Sequence, residues 1–375
     1  MIVGVMDMRD ETIGALPAIA DGAFRALFVY DVGDTIDLVR LRAVRGEGVT
    51  RAPLHLRREG SSEFIQYPVA PLIARLRDLS DPAASVRAKI FDFGVISIRI
   101  TVPFAGPWDD YAQLTRFLRG DPRLEQQART ALDELLAEIH DALDEPHPAL
   151  VEDYFVLEVE RFAEDIDART LTVDHGAALA RLMLFEDRPL DDGEVREALR
   201  VAFSYYPDDL AVLQWDAAFV YDRADAEAVE DILEFANAQL VEFRTYDARL
   251  DSELDAIYRF EGERPARRFG FGGQSAARAA KVRYLLVDVL ELTDRATNAL
   301  KIIGDAYYAR LYRGVARRLG LPDWQQQIDA KLSSVSEMYR VFQDQAQYTR
   351  SQTLEIVIII LIAFEAVIGV LALRH

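Results

Sequence analysis

The chain is 375 residues long, half of its residues are hydrophobic, and its formal net charge at pH 7 is −20. This length allows two or three domains with cores of their own. The negative charge argues against a nucleic-acid-binding surface over the whole molecule, because attraction to phosphate is electrostatic. The sequence has no cysteine, which excludes a disulfide, a thiolate metal site and a cysteine nucleophile.

The first 222 residues mix strand-like and helical segments. Residues 23–31 are rich in β-branched and aromatic side chains, and residues 85–102 contain two apolar runs separated by Gly94, which predicts either a bulged strand or a hairpin. The remaining segments are predicted as helices over 108–118, 123–143 and 177–185, and as strands over 152–162, 200–206 and 210–221. We therefore predict an α+β fold, with a mixed body domain over residues 1–222.

From residue 224 the apolar positions change to the three- and four-residue steps of long helices. Series of this kind begin at Val229, Val282 and Ile328. Sustained heptad-like spacing predicts coiled-coil-like packing of antiparallel helices in a stalk over residues 223–350. A loop near 263–274 and a turn near 320–323 separate the helices. Seams that face only each other and seams shared between subunits are both compatible with this pattern.

Residues 354–373 form an apolar stretch of about twenty residues, which matches the hydrocarbon thickness of a bilayer at helical rise. We therefore predict a C-terminal transmembrane helix; a core or oligomer-interface helix is the alternative. The N-terminus lacks the pattern of a secretory signal. Basic residues at Lys331, Arg340 and Arg350 precede the stretch, and the positive-inside rule then places the body on the cytoplasmic side of a single-pass, tail-anchored protein.

The C-terminal stretch also carries a family resemblance. Its leucine–glutamate pair at Leu354 and Glu355, its isoleucine run at 358–360 and its second acid at Glu365 resemble the end of the "required for meiotic nuclear division" and sporulation-associated membrane family, a domain of unknown function. Ile356 stands where that family often has tryptophan. Segments 90–98, 204–222 and 318–332 also resemble this family's blocks.

The resemblance implies a membrane-anchored homo-oligomer with an α+β body and brings no catalytic residues. Eukaryotic relatives are mitochondrial inner-membrane proteins that support translation. An arginine-rich transit segment is not visible here, so the resemblance implies a bacterial member in the inner membrane.

Two groups of residues are candidate contact sites. Glu365 lies near the middle of the predicted span, where an ionisable group costs several kcal/mol unless it is paired, protonated or faces a bundle or water; a protonated or lipid-tolerated glutamate is the alternative to a contact residue. Ile358 shares its helix face, and Glu355 lies at the membrane interface, so the group predicts an oligomer or membrane contact. The loop before the second long helix predicts a lipid contact, with an ordinary solvated loop as the alternative. Its residues are Arg264, Arg267, Arg268, Phe269, Phe271, Arg278 and Lys281.

No constellation of catalytic, metal-binding or cofactor-binding residues is visible in the sequence. The histidines lack the paired spacing of a zinc site, and Asp92-Phe93-Gly94 lacks the other motifs of a kinase. The prediction is a non-enzymatic scaffold or adaptor without a cofactor. It should self-associate and contact membrane lipid and an unidentified protein partner, with no direct nucleic-acid binding. The alternative is an oligomeric channel or transporter-like protein, similar in architecture to CorA-type magnesium channels, with Glu365 in the membrane.

Overall fold

The computed structural model describes residues 16–45, 48–51, 70–76, 85–223, 226–262, 287, 306–337 and 340. The chain divides into two compact units. The first contains Met1–Arg244 and Arg295–Pro322, and the second contains Thr245–Asp294 and Asp323–His375. The sequence-based boundaries, a body over 1–222, a stalk over 223–350 and a span over 354–373, stay predictions.

The first unit is built on a large sheet with helices, and the described residues of the second unit are helical. The strands are β1 Ile19–Asp31, β2 Thr35–Ile36, β3 Val49–Arg51, β4 Leu72–Arg75, β5 Ser85–Ile90, β6 Val95–Gly106, β7 Leu143–Asp144, β8 Leu150–Phe162, β9 Ala202–Phe203, β10 Asp209–Leu213 and β11 Ala217–Asp222. The helices are α1 Leu38–Arg45, α2 Trp108–Arg119, α3 Pro122–Ile139, α4 Ala168–Val173, α5 Gly176–Met183, α6 Asp192–Ala198, α7 Ala226–Gly262, α8 Ala306–Arg318 and α9 over residues 321–337. The predicted mixed α+β class is confirmed.

Nine of the strands form one sheet in the order β3-β4-β5-β6-β1-β8-β11-β10-β9. Strand β1 lies in its interior, antiparallel to both β6 and β8. The β8–β11 pair is parallel, while the other pairs of this sheet are antiparallel. Strands β2 and β7 form a separate two-stranded ladder.

One face of the sheet carries the main hydrophobic core. Alternate residues of β1 and β6, such as Phe24, Phe28 and Ile98, are buried there with Trp108 of α2 and Leu132 of α3. Each fully buried side chain of this size contributes about 1.5–3 kcal/mol relative to exposure. The predicted helices at 108–118 and 123–143 and the predicted strand at 152–162 are confirmed as α2, α3 and β8.

Two turns show how local sequence shapes the sheet. Strands β5 and β6 form an antiparallel hairpin, the second of the two predicted alternatives, and Gly94 in its turn has a φ of +84°. The predicted single strand over 210–221 is wrong. The segment is a hairpin of β10 and β11, in which the backbone N–H of Gln214 donates to the backbone carbonyl of Ala217 at 2.8 Å. The Tyr154 hydroxyl fixes this turn, because it bonds to the carbonyls of both Gln214 and Ala217.

Helix α7 is 37 residues long and belongs to the first unit up to Arg244. Every residue from 228 to 243 is buried, including several acidic ones. Helix α8 packs on it: the rings of Phe235 and Tyr312 lie 6.1 Å apart, and the Tyr312 hydroxyl bonds to Gln239. A helix enclosed on all sides must pair its charged groups, because an unpaired charge is costly to bury.

In the second unit, the C-terminal part of α7 and helix α9 are joined by polar contacts. Lys331 Nζ lies 2.7 Å from Asp247 Oδ1 and 2.6 Å from Asp251 Oδ1. The Gln327 side chain donates to Asp247 at 3.1 Å. Burial tends to lower the pKa of Lys331, but its bonds to Asp247 and Asp251 outweigh that effect and raise it. One lysine therefore bridges two acids that lie one helical turn apart.

The predicted single-pass membrane localisation is corrected here. Among the helices in the part of the chain that the structure describes, none combines the length and the low polarity needed to cross a bilayer. The predicted span over 354–373, with Glu355, Ile358 and Glu365, lies outside the described residues. The predicted lipid-contact residues also lie outside them: Arg264, Arg267, Arg268, Phe269, Phe271, Arg278 and Lys281.

Candidate functional site

The second face of the large sheet is polar where the first is hydrophobic. Because side chains alternate along a strand, Arg99 of β6 points away from the face that holds Ile98 and Ile100, and Lys89 of β5 and Arg25 of β1 lie on the same side as Arg99. Glu158 of β8 joins them. The strands thus bring three cations and one acid to a single surface.

Helix α7 covers this surface with three acids. Glu230, Asp231 and Glu234 share one helix face, because residues three and four apart are neighbours on a helix. We call the seven residues Arg25, Lys89, Arg99, Glu158, Glu230, Asp231 and Glu234 the ionic network.

Each cation of the ionic network contacts two carboxylates. Arg25 lies 2.5 Å from Glu158 and 2.8 Å from Glu230. Lys89 lies 2.5 Å from Asp231 and 2.9 Å from Glu234. Arg99 lies 3.0 Å from Glu230 and 2.8 Å from Glu234. Five of these six ion pairs connect the sheet to α7, and they engage β1, β5 and β6.

The ionic network is removed from solvent. Glu234 is 0% exposed, Glu230 is 1% exposed, and Arg99 is 7% exposed. Isolated charges at this depth would cost several kcal/mol each, and pairing in good geometry offsets that cost. The charged surfaces of α7 and of the sheet are therefore compatible with burial only when they face each other in this register.

The cations shift the pKa of Glu234 downward. Burial alone would raise it, but Lys89 and Arg99 outweigh that effect and lower the pKa of Glu234 to about 2. The same attraction acts on the cations: burial disfavours their charge, yet the neighbouring carboxylates raise the pKa of Lys89 and of Arg99. Glu234, Lys89 and Arg99 are thus charged at neutral pH.

Glu230 behaves in the opposite way. Burial is the largest influence and raises its pKa to about 7, with Glu158 and Asp231 adding repulsion that Arg25 and Arg99 only partly offset. Burial also raises the pKa of Asp231. The repulsion that adds to the effect of burial arises because the ionic network contains three cations and four carboxylates.

A small cavity of about 20 Å³ adjoins the ionic network. Its lining includes Lys89, Arg99, Asp231 and Glu234, together with Arg87 and Glu227, which are exposed. Such a volume holds about one water molecule. In the same region, Glu230 Oε1 and Glu234 Oε1 are buried and have no hydrogen-bond partner among the described residues. The buried Asp231 and Glu234 therefore share this cavity with two exposed side chains, whereas Glu230 is not among its lining residues.

This arrangement can hold charges in register and can bind a proton. Among the described residues, no three acidic or histidine side chains converge to hold a metal ion. A second, wider cavity of about 290 Å³ lies at the end of β8. It is lined by Glu160, Arg161, Phe162, Ala163, Asp165 and Arg223, and Arg223 pairs with Asp165 at 2.5 Å. Its charged groups are largely open to solvent.

None of the residues that were predicted as sites from the sequence belongs to the ionic network. Two signals for it were present in the sequence. Strand β6 alternates isoleucine with polar residues at Ser97 and Arg99, and α7 carries acids at helical spacing from Glu227 to Glu234. Neither signal shows which cation meets which acid, because that depends on the pairing of strands distant in sequence.

Comparison with known proteins corrects the family assignment made above. A family model described as "Uncharacterized protein MJ0711, N-terminal domain" matches residues 21–227, more than half of the chain. The chain is also 23% identical over 210 residues to "Uncharacterized protein MJ0711" of Methanocaldococcus jannaschii. That match covers 56% of this chain and 63% of the relative.

These matches contradict the resemblance to the "required for meiotic nuclear division" family, so that assignment is wrong, and the bacterial inner-membrane location that it implied loses its support. The matched residues include most of β1, the β5–β6 hairpin and β8, and they end at the start of α7. The chain belongs to the family described as the N-terminal domain of uncharacterized protein MJ0711.

Proposed function

We propose that the protein is a non-enzymatic scaffold or adaptor that self-associates and presents its long helices to a protein partner. The observation that carries the proposal is the set of five ion pairs between the sheet and α7. Buried ion pairs of this kind contribute more to geometric specificity than to net stability, as registry devices in helical assemblies do. The ionic network would then serve to fix the position of α7 on the body.

The length of α7 supports the same proposal. At 1.5 Å per residue its 37 residues extend about 55 Å, and residues beyond Arg244 belong to the second unit. There Lys331 of α9 bridges Asp247 and Asp251 of α7. We propose that the long helices of this unit pack in an antiparallel, coiled-coil-like arrangement, with a seam shared between copies of the chain.

The test is the native mass of the full-length protein in solution. Light scattering after size-exclusion chromatography should give a discrete multiple of the 42.3 kDa chain mass that persists on dilution. Crosslinking of mixed ¹⁴N- and ¹⁵N-labelled copies should then yield inter-chain links in α7 beyond Arg244 and in α9. A monomer at all concentrations would remove self-association from the proposal. Inter-chain links confined to the sheet unit would refute the shared helical seam.

A further inference from the structure

The ionic network contains one carboxylate more than its cations can neutralise. Arg25, Lys89 and Arg99 face Glu158, Glu230, Asp231 and Glu234 within a buried layer. An excess charge in such a layer is costly, because the low local dielectric weakens its solvation. A bound proton is the simplest ligand that would remove it.

The geometry indicates which carboxylate takes the proton. Glu230 Oε2 accepts from Arg25 at 2.8 Å and from Arg99 at 3.0 Å, whereas Glu230 Oε1 has no partner within the described structure. Protonation of Oε1 would leave both arginine bonds intact. Glu234 has the same arrangement, since Lys89 and Arg99 both contact its Oε2 and its Oε1 has no partner within the described structure. The two carboxylates differ in their cations, because Arg25 donates two of its hydrogen bonds to Glu158 and only one to Glu230.

The surroundings of Glu230 agree with this assignment. The charged groups that face it are Arg25 of β1, Arg99 of β6 and Glu158 of β8, with Asp231 beside it on α7. Two of these four groups are acids, so the positive charge around Glu230 does not exceed the negative charge of its neighbours. The cavity of about 20 Å³ is lined by Asp231, the residue next to Glu230, and also by the exposed Arg87 and Glu227, so a water-sized space lies at the edge of the layer.

We infer that the ionic network is a proton-binding site, in which the Glu230 carboxyl is protonated when α7 is seated on the sheet and releases its proton as the seating loosens. The pKa of about 7 that burial gives Glu230 is in line with this inference. Since that value lies above the ordinary 4.5, the proton favours the seated form. The stabilisation of the seated form by the bound proton is fully present below pH 4.5 and is lost as the pH rises through 7. The inference does not depend on the scaffold proposal.

The magnitude follows from the two pKa values of one group. A carboxyl with a pKa of 4.5 when exposed and about 7 when seated shifts the seating equilibrium on the order of 70-fold between pH 5 and pH 8. Hydrogen exchange over residues 226–244, corrected for the intrinsic rate at each pH, should show this loss of protection. The Glu230→Gln variant, which mimics the protonated acid, should lose the pH dependence and should match or exceed the wild-type protection at pH 8.

Glu227→Gln is the matched control, because it changes the same residue type one helical turn earlier on α7, at an exposed position. It leaves the seven residues of the ionic network unchanged, so the protection and its pH dependence should match those of the wild type. Infrared titration of the wild-type protein gives a readout that needs no variant. A protonated carboxylic acid band should be present at pH 6, lost by pH 8, and absent in Glu230→Gln. Absence of that band in the wild type, or an unchanged pH dependence in Glu230→Gln, would overturn the inference.

Discussion

Replacing Arg99 with methionine should be among the most damaging single changes to the seating of α7. The substitution keeps a long, unbranched side chain but removes the guanidinium that donates to Glu230 at 3.0 Å and to Glu234 at 2.8 Å. Glu230 then keeps only Arg25, and Glu234 keeps only Lys89. The ionic network changes from three cations against four acids to two against four.

The expected cost is ~3–5 kcal/mol, the range for removing one partner of a buried ion pair and leaving its counter-charge unpaired. Domains of this kind are stabilised by about 5–15 kcal/mol in total, so the change is large enough to unseat α7 or to unfold the first unit. The cost should be smaller at pH 6 than at pH 8, because protonation of Glu230 relieves part of the excess charge.

Arg87 is the matched control for Arg99. It lies directly opposite Arg99 on the neighbouring strand, it is exposed, and Arg87→Met should change stability by no more than about 0.5 kcal/mol. Hydrogen exchange of peptides over residues 226–244 measures the opening of α7, and urea denaturation measures the whole first unit. A loss below about 1 kcal/mol for Arg99→Met, similar to that of Arg87→Met, would refute the view that the ionic network holds α7 on the sheet.

The remaining predictions concern pH, a turn and two anchoring hydrogen bonds. Since the pKa of Glu234 is lowered from 4.5 to about 2, its stabilisation of ~3 kcal/mol should be present above pH 4.5 and lost as the pH falls through 2; Glu234→Gln should lack this acid dependence in urea titrations. Gly94→Ala should destabilise the β5–β6 hairpin by more than ~2 kcal/mol, because φ is +84° and the new methyl group would collide with the Gly33 carbonyl oxygen; thermal unfolding measures this, and a neutral result would contradict the turn geometry. Tyr111→Phe should cost ~1–3 kcal/mol, since the hydroxyl donates to the buried Ala23 carbonyl at 2.7 Å, and a crystal structure of the variant should show the ring unmoved. Asp121→Ala should cost about 1 kcal/mol by removing the N-cap of α3, whereas Asp121→Asn should cost much less in the same denaturation assay.

The elements that could be predicted from the sequence are those fixed by local physics. Helix α3 begins with the Asp121 cap followed by Pro122 and has buried residues at helical spacing, so its signals all lie within one segment. Strand β8 is a 13-residue run rich in β-branched and aromatic residues. The strand predicted over 210–221 failed because Gln214 and Asp216 interrupt an otherwise apolar run and belong to the turn between β10 and β11.

The ionic network could not be predicted in the same way. The residues that predict β6 and α7 are apolar: Ile96, Ile98 and Ile100 in the strand, and the series that begins at Val229 in the helix. The polar halves of both elements are charged, and charged faces are usually solvated. Their burial depends on Arg25, Lys89, Arg99 and Glu158 meeting across strands that are up to 133 residues apart. The family resemblance failed for a related reason: its most specific part was an apolar run flanked by acids, a pattern that unrelated chains share.

The interior position of β1 has a consequence for how the chain folds. Its two neighbours are β6 and β8, so β1 is synthesised long before either partner. Phe28, for example, pairs with Ile98 of β6 and Asp153 of β8, which are both made much later. Pairing at such sequence separation slows folding, since loop closure precedes any gain from contacts. A nascent chain would therefore carry a long, apolar strand that is unpaired until β6 is complete at residue 106, and one edge of that strand stays open until residue 162 has been made. This is the stage of synthesis at which we expect chaperone binding and, when the chain is overproduced, aggregation.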